Sequence, residues 1–536
     1  MKYHPLRLFA ALVVCASTMS AVQAQRYDLL LRNGRVIDGS GAPWFRADIA
    51  VTGDTIAKVA AHIEGEAAKV IDVAGEAVSP GFIDIHTHSR RNILEVPTAD
   101  NYVRQGVTTI FEGQDGTSDV PLGPFFDKLD QTPISLNYAS FLGHGSVRGA
   151  VVGQVDRRAS ADELAAMEEL VREGMRDGAF GLSTGLFYVP GAFGTTEEVA
   201  GLARIAGELG GIHISHMRDE ASQILESVRE TIEIGEIGRL PTQITHHKVI
   251  GSPNWGRSVD TLRLVDEARA RGVDVSLDQY PYTASSTGII SALWPKWARE
   301  GGREAVVARL ADPTTRAPLR DESALIIRDE RGGGDASRVQ ISWCEWDPSL
   351  AGQTLADLTR ARGQQADTTN AADTAIWIVE QGGCQAVFHA IGEEDLVRIL
   401  RHPAVMVASD GGVMIFGRGV PHPRSYGTFA RVLGRYVREQ GVLTLEEAVR
   451  KMTSLPAQRT GLGDRGLLRP GMKADLAVFD PATVRDTATF EAPHSYAQGF
   501  SVVVVNGRVA FENGELTDER PGRVLRGAGA RGETPR

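Results

Sequence analysis

The stretch Gly81-Phe82-Ile83-Asp84-Ile85-His86-Thr87-His88-Ser89 decides how this chain folds. Pro80-Gly81 opens it, apolar residues alternate along it and two imidazoles close it, which is the pattern of a buried β-strand. Successive strand side chains point to opposite faces, so His86 and His88 project from the same face. Two imidazoles on one rigid edge can chelate a divalent ion such as Zn²⁺. His-x-His is also a short pattern, and two strand-end histidines can equally solvate a surface. The rest of the chain has to decide between these readings.

Downstream, strands and helices alternate. Apolar runs at Val107–Glu112, Ile134–Ser140, Phe180–Thr184, Ile212–His216, Thr242–His247, Val273–Tyr280 and Val405–Ser409 have the length of strands, and helical stretches separate them. Ser160-x-x-Glu163 is a capping box, opening a helix with Leu164, Met167, Leu170 and Val171 on one face. With the His86 strand there are eight strands, which predicts an α/β fold built on a TIM-like (β/α)8 barrel over residues 81–455. The interval 284–404 is too long for one repeat. Its Gly332-Gly333-Gly334 and its tryptophans, Trp294, Trp297, Trp343 and Trp346, predict an insertion over the barrel mouth.

Residues 25–80 and 456–522 have another texture. Short apolar runs are punctuated by Asn33-Gly34, Asp38-Gly39 and Gly53-Asp54 near the start and by Asn506-Gly507 near the end, which are hairpin signals. The two halves predict one small β-sandwich domain assembled from both termini, with two separate β-flanges as the other reading. The Gly/Arg-rich stretch 523–536 predicts a disordered tail.

The chain has 536 residues, a net charge of −11 and a pI near 5.7, which argues against a nucleic-acid partner. Lys2 and Arg7, the apolar run Leu8–Ala16 and the small-residue end Val22-Gln23-Ala24 make residues 1–24 a secretory signal, too short to span a bilayer. This predicts export, with the periplasm as the destination. Cys344 and Cys384 remain after cleavage and can form one bridge there.

In a (β/α)8 barrel the working groups sit at the C-terminal ends of the strands. Here those positions carry His86 and His88, Glu112 and Asp115, His216, His246 and His247, and Asp410. His216 and His246 are thirty residues apart, about one β/α unit, so adjacent strands would hold them side by side. Histidines at successive strand ends with an aspartate after the last strand point to a metal site.

These motifs resemble the amidohydrolase superfamily, within the N-acyl-D-amino-acid deacylase (D-aminoacylase) family. The resemblance spans nearly the whole mature chain. It includes His86-Thr87-His88, Gly181–Leu186, His216-Met217-Arg218-Asp219-Glu220, His246-His247-Lys248, Tyr280–Ser286, Ser409-Asp410-Gly411 and His422-Pro423-Arg424. It implies that His86 and His88 hold one metal position and His216 and His246 the other, with one or two Zn²⁺ bound. Asp410 would transfer protons. Lys248, Tyr280, Ser286 and Arg424 would receive the carboxylate of a small N-acyl amino acid substrate. The family tends to carry a cysteine after the second strand. Asp115 stands there in this chain, with Glu112 as the other candidate ligand. The implied reaction is hydrolysis of N-acyl-D-amino acids, with dipeptides ending in a D-residue or cyclic amides as the second expectation.

Overall fold

The computed structural model describes residues 26–531. The expected signal at 1–24 lies outside the described residues.

The apolar runs form parallel strands: β1 (Phe82–Asp84), β2 (Val107–Glu112), β3 (Asn137–Ser140), β4 (Gly181–Gly185), β5 (Ile212–His216), β6 (Thr242–Ile244), β7 (Val275–Gln279) and β8 (Val405–Val407). Every residue in them is buried, so each reads as a continuous core segment and shows no inside–outside alternation. β1, β2 and β3 pair in that order. β4 to β8 pair in chain order, with Leu142–Gly143 added beside β4. The two sets meet at both ends. Phe180 N donates to Ser140 O at 2.9 Å, while Asp410 N donates to His86 O at 3.0 Å and His88 N to Gly411 O at 2.6 Å. The ends of β1 and β8, which carry the histidine pair and Asp410, are thereby tied together.

The helix Ala161–Asp177 opens with the expected capping box: Glu163 N donates to Ser160 Oγ at 3.2 Å and Ser160 N to Glu163 Oε2 at 2.8 Å. Its Met167, Val171 and Met175 pack into the large core, which also holds Leu182 of β4.

Strands from both ends of the chain share one nine-stranded sheet. The seam is Leu476–Phe479, antiparallel to Ala77–Pro80. Along it the side chains alternate between two cores, with a bulge opposite Val478–Phe479 shifting Phe500 out of step with Val502 and Val504. Leu476, Val478, Val502 and Val504 join Leu29, Leu31, Ile49 and Val51 in one apolar cluster, whereas Phe479, Phe500, Val503 and Val505 face the core of the parallel strands. The reading as two separate flanges is thus not what forms.

The insertion is a unit with its own core, drawn from residues Ile289 to Phe388. It has three antiparallel strands, Ser285–Gly288, Gln385–Phe388 and Val339–Trp343, and a Cys344–Cys384 disulfide joins the end of the last to the start of the second. The expected end at 404 is too late. The helix Glu393–Arg401 places Leu396 and Leu400 in the core of the parallel strands, so it belongs to the repeat that leads into β8.

The tail also departs from expectation as far as residue 531. Leu525 N donates to Tyr138 O at 2.7 Å, Arg526 pairs with Asp130 at 2.6 Å and Ala528–Arg531 is helical. The glycines that read as disorder permit close docking: a Cβ on Gly527 would lie 2.3 Å from Ala179 O, and one on Gly529 2.7 Å from Met175 O. Among the described residues no helix is long and apolar enough to cross a membrane.

Candidate active site

Six of the expected residues converge at the strand ends, with Asp115 in the middle. Its Oδ1 lies 3.6 Å from His86 Nε2 and 3.3 Å from His246 Nε2. Its Oδ2 lies 3.6 Å from His88 Nε2 and 3.4 Å from His216 Nδ1. Asp410 Oδ1 is 3.0 Å from His88 Nε2 and 3.4 Å from His86 Nε2. The result is two overlapping donor sets, His86–His88–Asp115–Asp410 and Asp115–His216–His246, that share one carboxylate.

The donor set suits a divalent cation. Both ring nitrogens of His86, His216 Nε2 and Asp115 Oδ1 are buried without a hydrogen-bond partner. Such orphaned groups are costly in a protein interior, and a metal ion among them would satisfy several at once. Burial opposes charge on Asp115, but His216, His246 and His86 hold its pKa well below the usual carboxylate range. Behind His86, Asp278 Oδ1 lies 3.7 Å from Nδ1, beyond hydrogen-bond reach, and accepts instead from His246 N at 2.7 Å. Glu112 is directed elsewhere. Its Oε2 accepts from Ser89 N and, at 3.3 Å, from Thr87 Oγ1.

The backbone explains how these side chains meet. Asp115, His246 and Asp410 have φ of 55°, 36° and 50°, the left-handed region that non-glycine residues rarely occupy. The loop carrying Asp115 is also pressed onto its neighbours, because a Cβ on Gly185 would lie 2.1 Å from Asp115 O. Only glycine at 185 lets the loop sit this deep.

The expected carboxylate receptors surround the cluster unequally. Arg424 Nη1 donates to Asp410 Oδ2 at 2.6 Å, and its Nη2 comes within 3.5 Å of Ser286 O. Tyr280 is buried with its hydroxyl unpartnered, its ring 4.8 Å from the Arg424 guanidinium. Ser286 lines the cleft. Lys248 is engaged more closely than expected. Its ammonium donates to Glu220 Oε1 at 2.5 Å and to His246 O at 3.0 Å, and lies 2.8 Å from His246 Nδ1. A substrate carboxylate would have to displace one of these partners.

Glu220 is the residue that sequence reasoning missed. Its neighbour Asp219 serves the following turn, accepting from Ala221 N and Gln223 N. Glu220 instead turns inward, 3.1 Å from His246 Nδ1 and 3.8 Å from His216 Nε2. Nothing in the pair Asp219-Glu220 distinguishes their directions. Phe187, stacked on the His216 ring at 5.5 Å, was also missed; its signal was its position just past the end of β4.

All of this opens into a cleft of about 920 Å³. His88, Asp115, His216 and Asp410 line it together with residues of the insertion, among them Ile290, Arg331 and Trp343. A site of this size suits a small molecule.

Comparison with known proteins agrees with this geometry. The amidohydrolase family matches residues 69–511. A D-aminoacylase of Alcaligenes xylosoxydans xylosoxydans is 38% identical over 95% of this chain and 99% of its own length. The crystal structure of N-acyl-D-glutamate deacylase from Bordetella bronchiseptica, complexed with zinc and a phosphonate inhibitor, superposes with a TM-score of 0.80 at 35% identity. It covers 94% of this chain and 100% of that one. A D-aminoacylase structure that addresses the role of a binuclear metal centre superposes with a TM-score of 0.78 at 37% identity, over 93% and 100%. The chain belongs to the amidohydrolase family, within its N-acyl-D-amino-acid deacylase group.

Proposed function

We propose that the protein hydrolyses the amide bond of N-acyl-D-amino acids, giving a carboxylate and a free D-amino acid. The carrying observation is Asp115, whose two oxygens lie within 3.6 Å of four histidines in a cleft that also presents Asp410 and Arg424. The full-length likeness to a D-aminoacylase and to a zinc-bound N-acyl-D-glutamate deacylase supports the same reading.

His86, His88, Asp115, His216 and His246 would hold one or two zinc ions. When bound, such an ion polarises the scissile carbonyl and lowers the pKa of water. Asp410 would accept a proton at Oδ1, beside His88, and return it to the departing amine. Its ionised state suits the first of these tasks: burial raises its pKa, but Arg424, His86 and His88 outweigh burial. Arg424, with donors beyond the one on Asp410, would take the α-carboxylate together with Tyr280, Ser286 and Lys248.

We also infer that the eight parallel strands close into a (β/α)8 barrel, supported by the hydrogen bonds that join β3 to β4 and β8 to β1. On this reading residues 81–455 are the catalytic barrel, with the insertion at its mouth. Residues 25–80 and 456–522 supply the β-sandwich. The leader-like residues 1–24 and the disulfide favour an exported, periplasmic enzyme.

The test is a panel of N-acetyl and N-succinyl D- and L-amino acids with zinc- and manganese-loaded protein. Hydrolysis of the D-series alone is the expected result. Preference for the L-series, for dipeptides or for cyclic amides would overturn the reading.

A further inference from the structure

Six lysine and arginine residues are buried among the described residues: Arg148, Lys248, Arg331, Arg424, Lys451 and Arg465. Five of them have a carboxylate within 4.0 Å, namely Glu198, Glu220, Asp410, Glu447 and Asp475 in turn. Arg331 is the sixth, and no carboxylate of the described residues reaches it. Its Nη1 comes no closer than 3.5 Å to Ser285 Oγ, and its Nε is buried without a partner. Of the two acids just before it, Asp329 is held by Nε and Nη2 of Arg328, and Glu330 is near enough for its charge to act on Arg331 but forms no ion pair with it within 4.0 Å. A guanidinium cannot shed its charge, and an unpaired buried charge is destabilising. Arg331 is therefore built to meet an anion that comes from outside the chain.

Its position says where that anion arrives. Arg331 ends the turn Ile327–Arg331 of the insertion and lines the same cleft as Asp115, Asp410 and Arg424. Its guanidinium lies 5.2 Å from the ring centre of Phe187, the ring that stacks on His216. Two consecutive residues, Ser285 and Ser286, separate the two guanidiniums: Arg331 approaches Ser285 Oγ and Arg424 approaches Ser286 O. One small molecule held by Arg424 through one carboxylate can thus present another to Arg331.

We propose that Arg331 is the counter-ion of a second substrate carboxylate, so that the preferred substrates are dicarboxylic N-acyl-D-amino acids. The second carboxylate belongs either to the amino-acid side chain or to a dicarboxylic acyl group; both present the same chemistry. This rests on the reading of the cleft as an N-acyl-D-amino-acid hydrolase.

The test compares kcat/KM of the zinc-loaded full chain for two matched pairs: N-acetyl-D-glutamate against N-acetyl-D-glutamine, and N-succinyl-D-leucine against N-butyryl-D-leucine. The acid exceeds its neutral partner by about tenfold or more in one pair, and that pair identifies the source of the carboxylate. Arg331→Gln abolishes this preference, and Arg331→Lys, which keeps the charge, restores part of it; a purely structural arginine would not behave so. Indifference of the wild type to both pairs, or a preference that survives Arg331→Gln, overturns the proposal. Should none of the four be hydrolysed, the hydrolase reading fails by itself. The shift in melting temperature produced by the same four compounds then decides the matter for Arg331. A larger shift with the acid of one pair, lost in Arg331→Gln, sustains the proposal, and equal shifts overturn it. A melting temperature of the unliganded Arg331→Gln chain at or above that of the wild type is also expected, because an unpaired buried charge has been removed.

Discussion

The Arg424 guanidinium and the Asp410 carboxylate form a buried ion pair, with Nη1 2.6 Å from Oδ2, at the edge of the histidine cluster. Burial works against charge on Asp410, yet Arg424, followed by His86 and His88, holds its pKa far below the ordinary range. In Arg424→Met the strongest of these opposing charges is gone, so the pKa of Asp410 rises. The acid limb of the kcat/KM profile accordingly moves to higher pH, and transition-state stabilisation falls by about 2–5 kcal/mol, the range for breaking a desolvated charge pair. A pH–rate profile of the variant checks both, and an unmoved acid limb would detach Arg424 from Asp410.

Asp410→Asn separates proton transfer from metal binding. The amide keeps the size of the side chain but cannot accept and return a proton. Turnover is expected to fall by about 10²–10⁴-fold. Zinc content, measured by elemental analysis, is expected to stay at the wild-type level, since the four histidines and Asp115 are intact. Near-wild-type kcat would remove Asp410 from its assigned role.

Gly185→Ala tests whether the depth of the Asp115 loop matters. The added Cβ would lie 2.1 Å from Asp115 O, so the loop must move outward. Zinc affinity should weaken by about 10–100-fold, as when the support of a ligand is lost, while the circular dichroism spectrum stays native. Unchanged affinity would mean that the loop adjusts without moving its carboxylate.

The Cys344–Cys384 bridge spans a separation of 40 residues within the insertion. Replacing both cysteines by alanine should lower the stability of that unit by about 2–4 kcal/mol, which chemical denaturation can measure. The apolar cluster from Ile289 to Phe388 includes both cysteines but also many aliphatic and aromatic side chains besides them, so the unit is expected to remain folded. A variant as stable as the wild type would show the bridge to be dispensable.

The eight parallel strands were legible because strands buried on both faces are written as apolar runs bounded by turn residues. Their C-terminal ends carried the imidazoles and carboxylates in plain view. What was not legible depends on approach between distant segments. The left-handed backbone at Asp115, His246 and Asp410 is imposed by packing, and nothing local in Gly113-Gln114-Asp115-Gly116 announces that Gly185 receives it. Glu220 was not singled out, because adjacent acids such as Asp219 and Glu220 look alike in sequence while facing opposite ways. The helix Glu393–Arg401 was absorbed into the insertion because its allegiance is set by where Leu396 and Leu400 are buried. In the tail, Gly527 and Gly529 looked like disorder because a glycine chosen for close docking and one chosen for freedom read alike.

The central claim is that Asp115 occupies the middle of a metal site, its two oxygens shared among His86, His88, His216 and His246. The most direct measurement is the zinc content of the full chain after zinc loading and gel filtration, for the wild type, Asp115→Ala and Asp115→Cys. Zinc bound to the wild type, lost or reduced in Asp115→Ala and retained in Asp115→Cys with a shift of preference towards zinc over manganese, is the predicted result. A wild type that binds no zinc, or an Asp115→Ala variant with the same zinc content and activity as the wild type, would contradict it.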